Sequence, residues 1–314
     1  MLVTEIYNGQ GLGNQLACYV TTRVVALDKG FNFGIMNPLK FKCLDFMELD
    51  FGLPVIGGES PYEGAPPTIL PDGIEYYFRE KDIRHPNGSD IRIDDLKLET
   101  IIDNTKLDGV FQSENRIIHR KKEIKEWLKV KPEMDCYTYS DKDICIIHVR
   151  GGDFRYIGAT LDSTYYNNAI NKMLSKNKNI KFLAITDDVN YCKSILPNIE
   201  IVGGSAIDYV DSHRASHHLG GRISVDYTII KNAHNLILSN SSFPYFAIFT
   251  SDIEQYIIAP KYWIRYSISD GYWSCGYNIY RNHNYLDKNN NIFSFDECMD
   301  EFNIYKEKNK HLYK

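Results

Sequence analysis

The strongest constraint on this chain is an alternation. From residue 143 to residue 259, short apolar runs that close in polar bursts are separated by segments of helical periodicity. The clearest run is Ile144-Cys145-Ile146-Ile147, which closes in His148-Val149-Arg150-Gly151-Gly152-Asp153. A strand without a polar face must be covered on both sides, and strands alternating with helices form a parallel sheet with helices on either face. The pattern predicts strands over 143–149, 181–186, 199–202, 236–238 and 256–259. It predicts helices over 165–174, 187–196, 225–233 and 241–249.

The first part of the chain begins in the same style. Residues 2–7 read as a buried strand and 8–13 as a glycine-rich turn. Residues 14–29 read as a helix, with Leu16, Val20, Val24 and Leu27 near 3.6 spacing. A strand over 31–36 follows. Residues 50–75, with Pro54, Pro61, Pro66, Pro67 and Pro71, read as loop. Residues 117–131 read as an amphipathic helix, apolar through Ile117, Ile124, Trp127 and Leu128, with a basic face taken as solvated. A linker containing Pro132 then divides the chain. The expected fold class is α/β in two domains, 1–137 and 138–314.

Composition narrows the function. Lys and Arg number 36 against 41 Asp and Glu, a net charge of -5, which disfavours a general nucleic-acid binder. The seven cysteines, at 18, 43, 136, 145, 192, 275 and 298, contain no C-x-x-C, which argues against a disulfide framework and a common zinc site. His213, His217 and His218 cluster without a Cys or Glu partner in reach, so no zinc is expected there. No D-x-D stands where a metal-dependent sugar-nucleotide enzyme would need one. No secretory leader is read at the start, and no apolar run has the length of a membrane span. The expected location is cytoplasmic, with any membrane association peripheral.

In a parallel α/β sheet, ligands bind beyond the carboxyl ends of the strands. Four polar clusters are expected at such ends. Gly11-Leu12-Gly13-Asn14-Gln15 opens a helix whose free N–H groups suit an anion, though a glycine turn there is commonly structural. Arg150 can clamp a phosphate in two-point fashion, or simply pair with Asp153 or another carboxylate. Thr186-Asp187-Asp188 reads as a helix cap, with Thr186 or Asp187 capping, and otherwise as a supporting contact. Asn240-Ser241-Ser242-Phe243 offers hydroxyls and helix amides to an anion. Asp226, in an otherwise apolar helix, can accept the paired N–H donors of a guanine edge, or serve as a cap or surface charge.

In this order the clusters resemble the α1,2-fucosyltransferase family of bacteria and animals. Residues 11–16 resemble its G-x-G-N-Q-L-F motif. Leu107-Asp108-Gly109-Val110-Phe111-Gln112-Ser113 resembles its L-D-G-Y-F-Q-S segment. Residues 148–153 resemble the H-x-R-R-x-D motif shared with α1,6- and protein-O-fucosyltransferases. Thr186-Asp187-Asp188 resembles F-S-D-D, and the stretch ending at Phe243 resembles one ending in N-S-S-F-S-W-W-A. Ile258-Ala259-Pro260-Lys261-Tyr262-Trp263 resembles I-A-P-K-x-W. Two positions depart: Gly151 replaces the second Arg, and Pro244-Tyr245-Phe246-Ala247 replaces the segment that carries Trp-Trp.

The resemblance implies a GT-B-like fold of two Rossmann-like domains facing a cleft, the N-terminal one on the acceptor side. It implies metal-independent, inverting transfer of L-fucose from GDP-β-L-fucose to a terminal galactoside of a glycan. GDP-fucose is then the donor substrate, with no further cofactor. Gly11, Gly13, Asn14, His148, Arg150, Asp226, Asn240, Ser241, Ser242 and Phe243 would bind the donor. Arg150, Asp153 and Asn14 would act in catalysis, with Asp153 either base or brace for Arg150. Another GDP-hexose, a protein acceptor, a non-catalytic GDP-sugar-binding module and a scaffold whose polar strand ends are all caps are the alternatives.

Overall fold

The computed structural model of the protein describes residues 1–7, 9–58, 69–84, 90–92, 96–204, 220–267, 272–273 and 278–312. His213, His217, His218, most of the 203–221 loop and part of the 50–75 loop lie outside the described residues.

The first sheet is built from β1 (Leu2–Glu5), β2 (Phe33–Met36), β3 (Tyr76–Arg79) and, after a short antiparallel pair β4 (Asp82–Arg84) and β5 (Asp90–Arg92), β6 (Thr105–Asp108). Its order is β2-β1-β6-β3, and each of its pairs is parallel. Helix α1 (Leu12–Lys29) connects β1 to β2 and stops at Gly30, whose left-handed φ of 69° returns its N–H to the helix's last carbonyls. The predicted helix over 117–131 is shorter and broken. It becomes α2 (Glu114–Ile117), a 3-10 turn, and α3 (Lys121–Trp127).

The second sheet has β7 (Ile144–Val149), β8 (Lys181–Thr186), β9 (Glu200–Ile201), β10 (Asn235–Ile237), β11 (Tyr256–Pro260), β12 (His283–Leu286) and β13 (Ile292–Phe293). Between them run α4 (Ser163–Lys176), α5 (Val189–Ile195), α6 (Gly220–Asn232) and α7 (Phe243–Thr250), and α8 (Phe295–Lys308) follows β13. The order is β9-β8-β7-β10-β11-β12-β13, parallel throughout except at the β12–β13 edge. Counted within this sheet, the six parallel strands run 3-2-1-4-5-6, the Rossmann order. The architecture is therefore the expected α/β one of two Rossmann-like units.

The core is continuous across the two sheets. Leu16, Val20 and Val24 of α1 join Ile146 of β7, Leu236 of β10, Tyr227 of α6 and Phe246 and Phe249 of α7 in one buried cluster. The other face of β7, through Cys145, Ile147 and Val149, packs on Tyr165, Tyr166, Ala169 and Met173 of α4. This double burial is what the unbroken apolar run of β7 requires.

Candidate functional site

Strand order reverses in the second sheet between β7 and β10, and this is the crevice where such sheets hold ligands. Residues 150–153 leave β7 at that point, and residues 238–242 leave β10 beside them. Arg150 is gripped there by two carboxylates. Its Nη1 donates to Asp187 Oδ2 at 2.5 Å, and its Nη2 pairs with Asp153. Asp187 is the fixed partner, because its Oδ1 also accepts the Gly151 N–H at 2.8 Å. Burial pushes the Asp187 carboxyl up, and the Arg150 charge and the Gly151 N–H pull it back. Asp153 is far more open, with 60% of its side chain exposed. Arg150 Nε is buried without a partner.

The expected cap of α5 is corrected in detail. Asp188, not Thr186 or Asp187, caps it, accepting the Tyr191 N–H at 2.9 Å. Thr186 Oγ1 instead accepts the Asp188 N–H, and Asp187 is released to hold Arg150. The same turn accounts for Gly151. A Cβ on residue 151 would stand 2.5 Å from Asp188 Cβ, so the second Arg of the resembled motif does not fit this backbone.

His148 is buried, bonded through Nδ1 to Ser239 Oγ at 2.8 Å and stacked on Phe243. Burial, reinforced by the Arg150 charge, holds its pKa down at about 3, so the ring is neutral at physiological pH. Asn240 is buried beneath the 151–159 loop, and its Nδ2 donates to Ala159 O at 2.7 Å. Ser241 Oγ accepts the Phe243 N–H at 3.3 Å at the start of α7. Asp226 lies on α6, half-buried, and its Oδ1 accepts the Gly204 N–H at 2.8 Å.

The first sheet changes direction between β1 and β6, and the residues beyond those strands meet the second unit. Gly13 is required by that meeting: a Cβ there would run into the backbone carbonyl of Ser242. Gly11 is not crowded, and its would-be Cβ faces open space. Asn14 Oδ1 accepts from Ser242 Oγ at 2.9 Å and from Gln112 Nε2 at 2.6 Å. Gln112 Oε1 in turn accepts from Asn278 Nδ2 at 3.0 Å. Beside them Glu114 Oε2 accepts from Arg281 Nη1 at 3.0 Å. The carboxyl ends of the two sheets therefore face each other and are joined by hydrogen bonds.

The structure thus gathers His148, Arg150, Asp153 and Phe243 at one crevice and seats Gly13, Asn14 and Ser242 against it. Asp226 and Asn240 are reached through other residues. Sequence reasoning did not single out Asn278. Gln112 stood in a quoted segment without a role. Asn278 carries no local signal, because its partner is 166 positions away. Among the described residues no three His, Cys, Asp or Glu side chains gather as a metal site. No described helix is long and apolar enough to cross a membrane.

Residues 81–270 match the family model described as Glycosyl transferase family 11. No curated protein matches the chain. Among solved structures, the chain is similar to NodZ, an α1,6-fucosyltransferase from Bradyrhizobium soaked with GDP-fucose, at 14% identity. That likeness covers 80% of this chain and 92% of NodZ, with a TM-score of 0.44. A mutant of FUT1 from Arabidopsis thaliana in complex with GDP is similar at 13% identity, over 82% of this chain and 70% of that one, with a TM-score of 0.45. At such identities and scores neither likeness bears on function.

Proposed function

This chain belongs to glycosyl transferase family 11, and we propose that it transfers L-fucose from GDP-β-L-fucose to the 2-hydroxyl of a terminal galactoside on a glycan, with inversion and without a metal. The observation that carries this reading is Arg150, held by Asp187 and Asp153 at the β7–β10 crevice beside Ser241 and Ser242 at the start of α7. In the reaction the acceptor hydroxyl oxygen bonds to C1 of fucose while the bond from C1 to the diphosphate oxygen breaks. The electron pair leaves on GDP, and the hydroxyl proton must be taken up.

Arg150 meets the charge that grows on the leaving diphosphate. It is preorganised by its two carboxylates, which is how a fixed charge lowers a barrier in the absence of a metal ion. The hydroxyl of Ser241, whose oxygen accepts the Phe243 N–H, keeps its own proton to donate to the same diphosphate. His148 is neutral and packs on Phe243, so it serves as a wall and a hydrogen-bonding group and not as a cation. Asp226 reads the guanine edge. Of the two carboxylates on Arg150, Asp187 is the brace, and the exposed Asp153 takes the proton.

Gly151 favours one second reading. With a single guanidinium from this motif, the chain would bind a GDP-sugar without transferring it. The deciding experiment incubates the protein with labelled GDP-fucose and a galactoside acceptor in EDTA, and assigns the product linkage by NMR. An α1,2-linked fucose supports the proposal. Donor binding without product supports the binding module. Activity that returns only on adding Mg²⁺ or Mn²⁺ refutes metal independence.

A further inference from the structure

Around Asn14 the hydrogen bonds that cross between the two units run from the second to the first. Asn278 Nδ2 donates to Gln112 Oε1 at 3.0 Å and to Tyr280 Oη at 2.9 Å. Gln112 Nε2 donates to Asn14 Oδ1 at 2.6 Å, and Ser242 Oγ donates to the same oxygen at 2.9 Å. Turning over the Asn14 amide alone would set its N–H groups against those of Gln112, while the Ser242 hydroxyl could accept as well as donate. In this arrangement Asn14 Nδ2 points away from the relay, and that nitrogen meets no acceptor among the described residues. Asn278 is buried at 2% exposure and Gln112 at 9%, so water does not readily replace either partner.

We infer that Gln112 and Asn278 are positioning residues that fix the amide of Asn14 as a hydrogen-bond donor toward an oxygen of the bound sugar diphosphate. The relay joins Asn14 and Gln112 of the first unit to Ser242 and Asn278 of the second. It sets the Asn14 amide only when the two units are docked. Its ligand is an oxygen acceptor, a phosphate or sugar oxygen, because only a donor is presented. This inference rests on the proposed GDP-sugar reading for the identity of that oxygen, but not for the polarity of the relay.

The polarity can be inverted. Gln112→Glu keeps an oxygen for Asn278 and turns its other oxygen toward Asn14, whose amide must flip to donate into the relay. Asn14 then presents Oδ1 to the ligand. Gln112→Met keeps the approximate shape and breaks the relay without inverting it. If the relay acts through Asn14, Gln112→Glu lowers kcat about 10²-fold, the scale of losing one preorganised donor. KM for the GDP-sugar moves less, and Gln112→Met costs less than Gln112→Glu. In an Asn14→Ala background neither change adds a further loss, since nothing is left to orient. A Gln112→Glu penalty that persists in that background is repulsion or structural damage, and it overturns the inference.

A second readout needs no activity. The side-chain amide protons of Asn14, assigned by their disappearance in Asn14→Asp, should exchange rapidly with solvent in the wild type. They should become protected in Gln112→Glu, where Nδ2 has turned into the relay. Unchanged exchange overturns the relay whatever the donor proves to be. A protein that shows the exchange change but transfers no fucose keeps the relay and refutes the proposed function.

Discussion

At the scale of single residues, Arg150 carries the largest share of the proposed catalysis. It already has two carboxylate partners, so the ion-pair reading and the phosphate reading of its sequence context coexist: the carboxylates aim the guanidinium. Arg150→Ala should lower kcat about 10²- to 10³-fold and raise KM less, because its contact strengthens as the leaving group gains charge. Arg150→Lys should rescue only part of this, since an ammonium cannot span two oxygens in a plane. Steady-state transfer kinetics on variants whose fold is checked by circular dichroism measure this, and near-normal kcat in Arg150→Ala would reduce the residue to a structural ion pair. Gly151 gives a companion test. Restoring the motif's second guanidinium with Gly151→Arg should not raise activity, because the new Cβ collides with Asp188. It should cost about 1–3 kcal/mol of stability, as overpacked sites do, read as a lower denaturant midpoint. A Gly151→Arg protein of unchanged stability and higher activity would show that the turn relaxes.

At the scale of elements, legibility followed burial. Strand β8 lies where the apolar pattern puts it, and β7 within one residue of it, because each is covered on both faces and apolar through its centre. Strand β6 escaped because Lys106 sits in its middle. That lysine is wholly buried through its pairing with Glu5 at 2.5 Å, a partner 101 positions away. Strand β12, His283-Asn284-Tyr285-Leu286, is too mixed for periodicity to mark. Helix α8 carries a readable start signal, since Ser294 and Glu297 form a capping box there. The four polar clusters could be expected at strand ends because residue type and position both mark them. The contacts Gly13–Ser242 and Gln112–Asn278 could not, because they join elements from different sheets. Gly13 offers the test at this scale. Gly13→Ala forces the N-terminus of α1 away from Ser242, and should lower both stability, by about 1–3 kcal/mol, and kcat. Gly11→Ala, at a position with open space, should cost less stability. Equal thermal shifts for the two variants would contradict the close approach.

At the scale of the whole molecule, the two units share one core and one hydrogen-bonded seam, so they should respond to acid as one body. His148 and His283 are both buried, and burial holds each near a pKa of about 3. An unfolded histidine takes up its proton near pH 6.5. The unfolded chain therefore binds more protons than the folded one between those values, and stability falls as pH drops from about 6.5 toward 3. Each histidine contributes about 1.4 kcal/mol per pH unit within that window. Denaturant midpoints from pH 7.5 to 4.5 should show this slope, with His283→Gln reducing it, and a flat profile would mean that the imidazoles are accessible. In the proposed function this crevice reads a GDP-sugar through Asp226 and Arg150. Calorimetric titration of the protein with GDP-fucose, GDP-mannose, GDP and UDP tests it most directly. GDP-fucose and GDP should bind and UDP should bind weakly, and Asp226→Asn should cost a few kcal/mol of GDP affinity, the scale of a broken hydrogen bond to a charged group. Equal affinity of the wild type for GDP and UDP would contradict it.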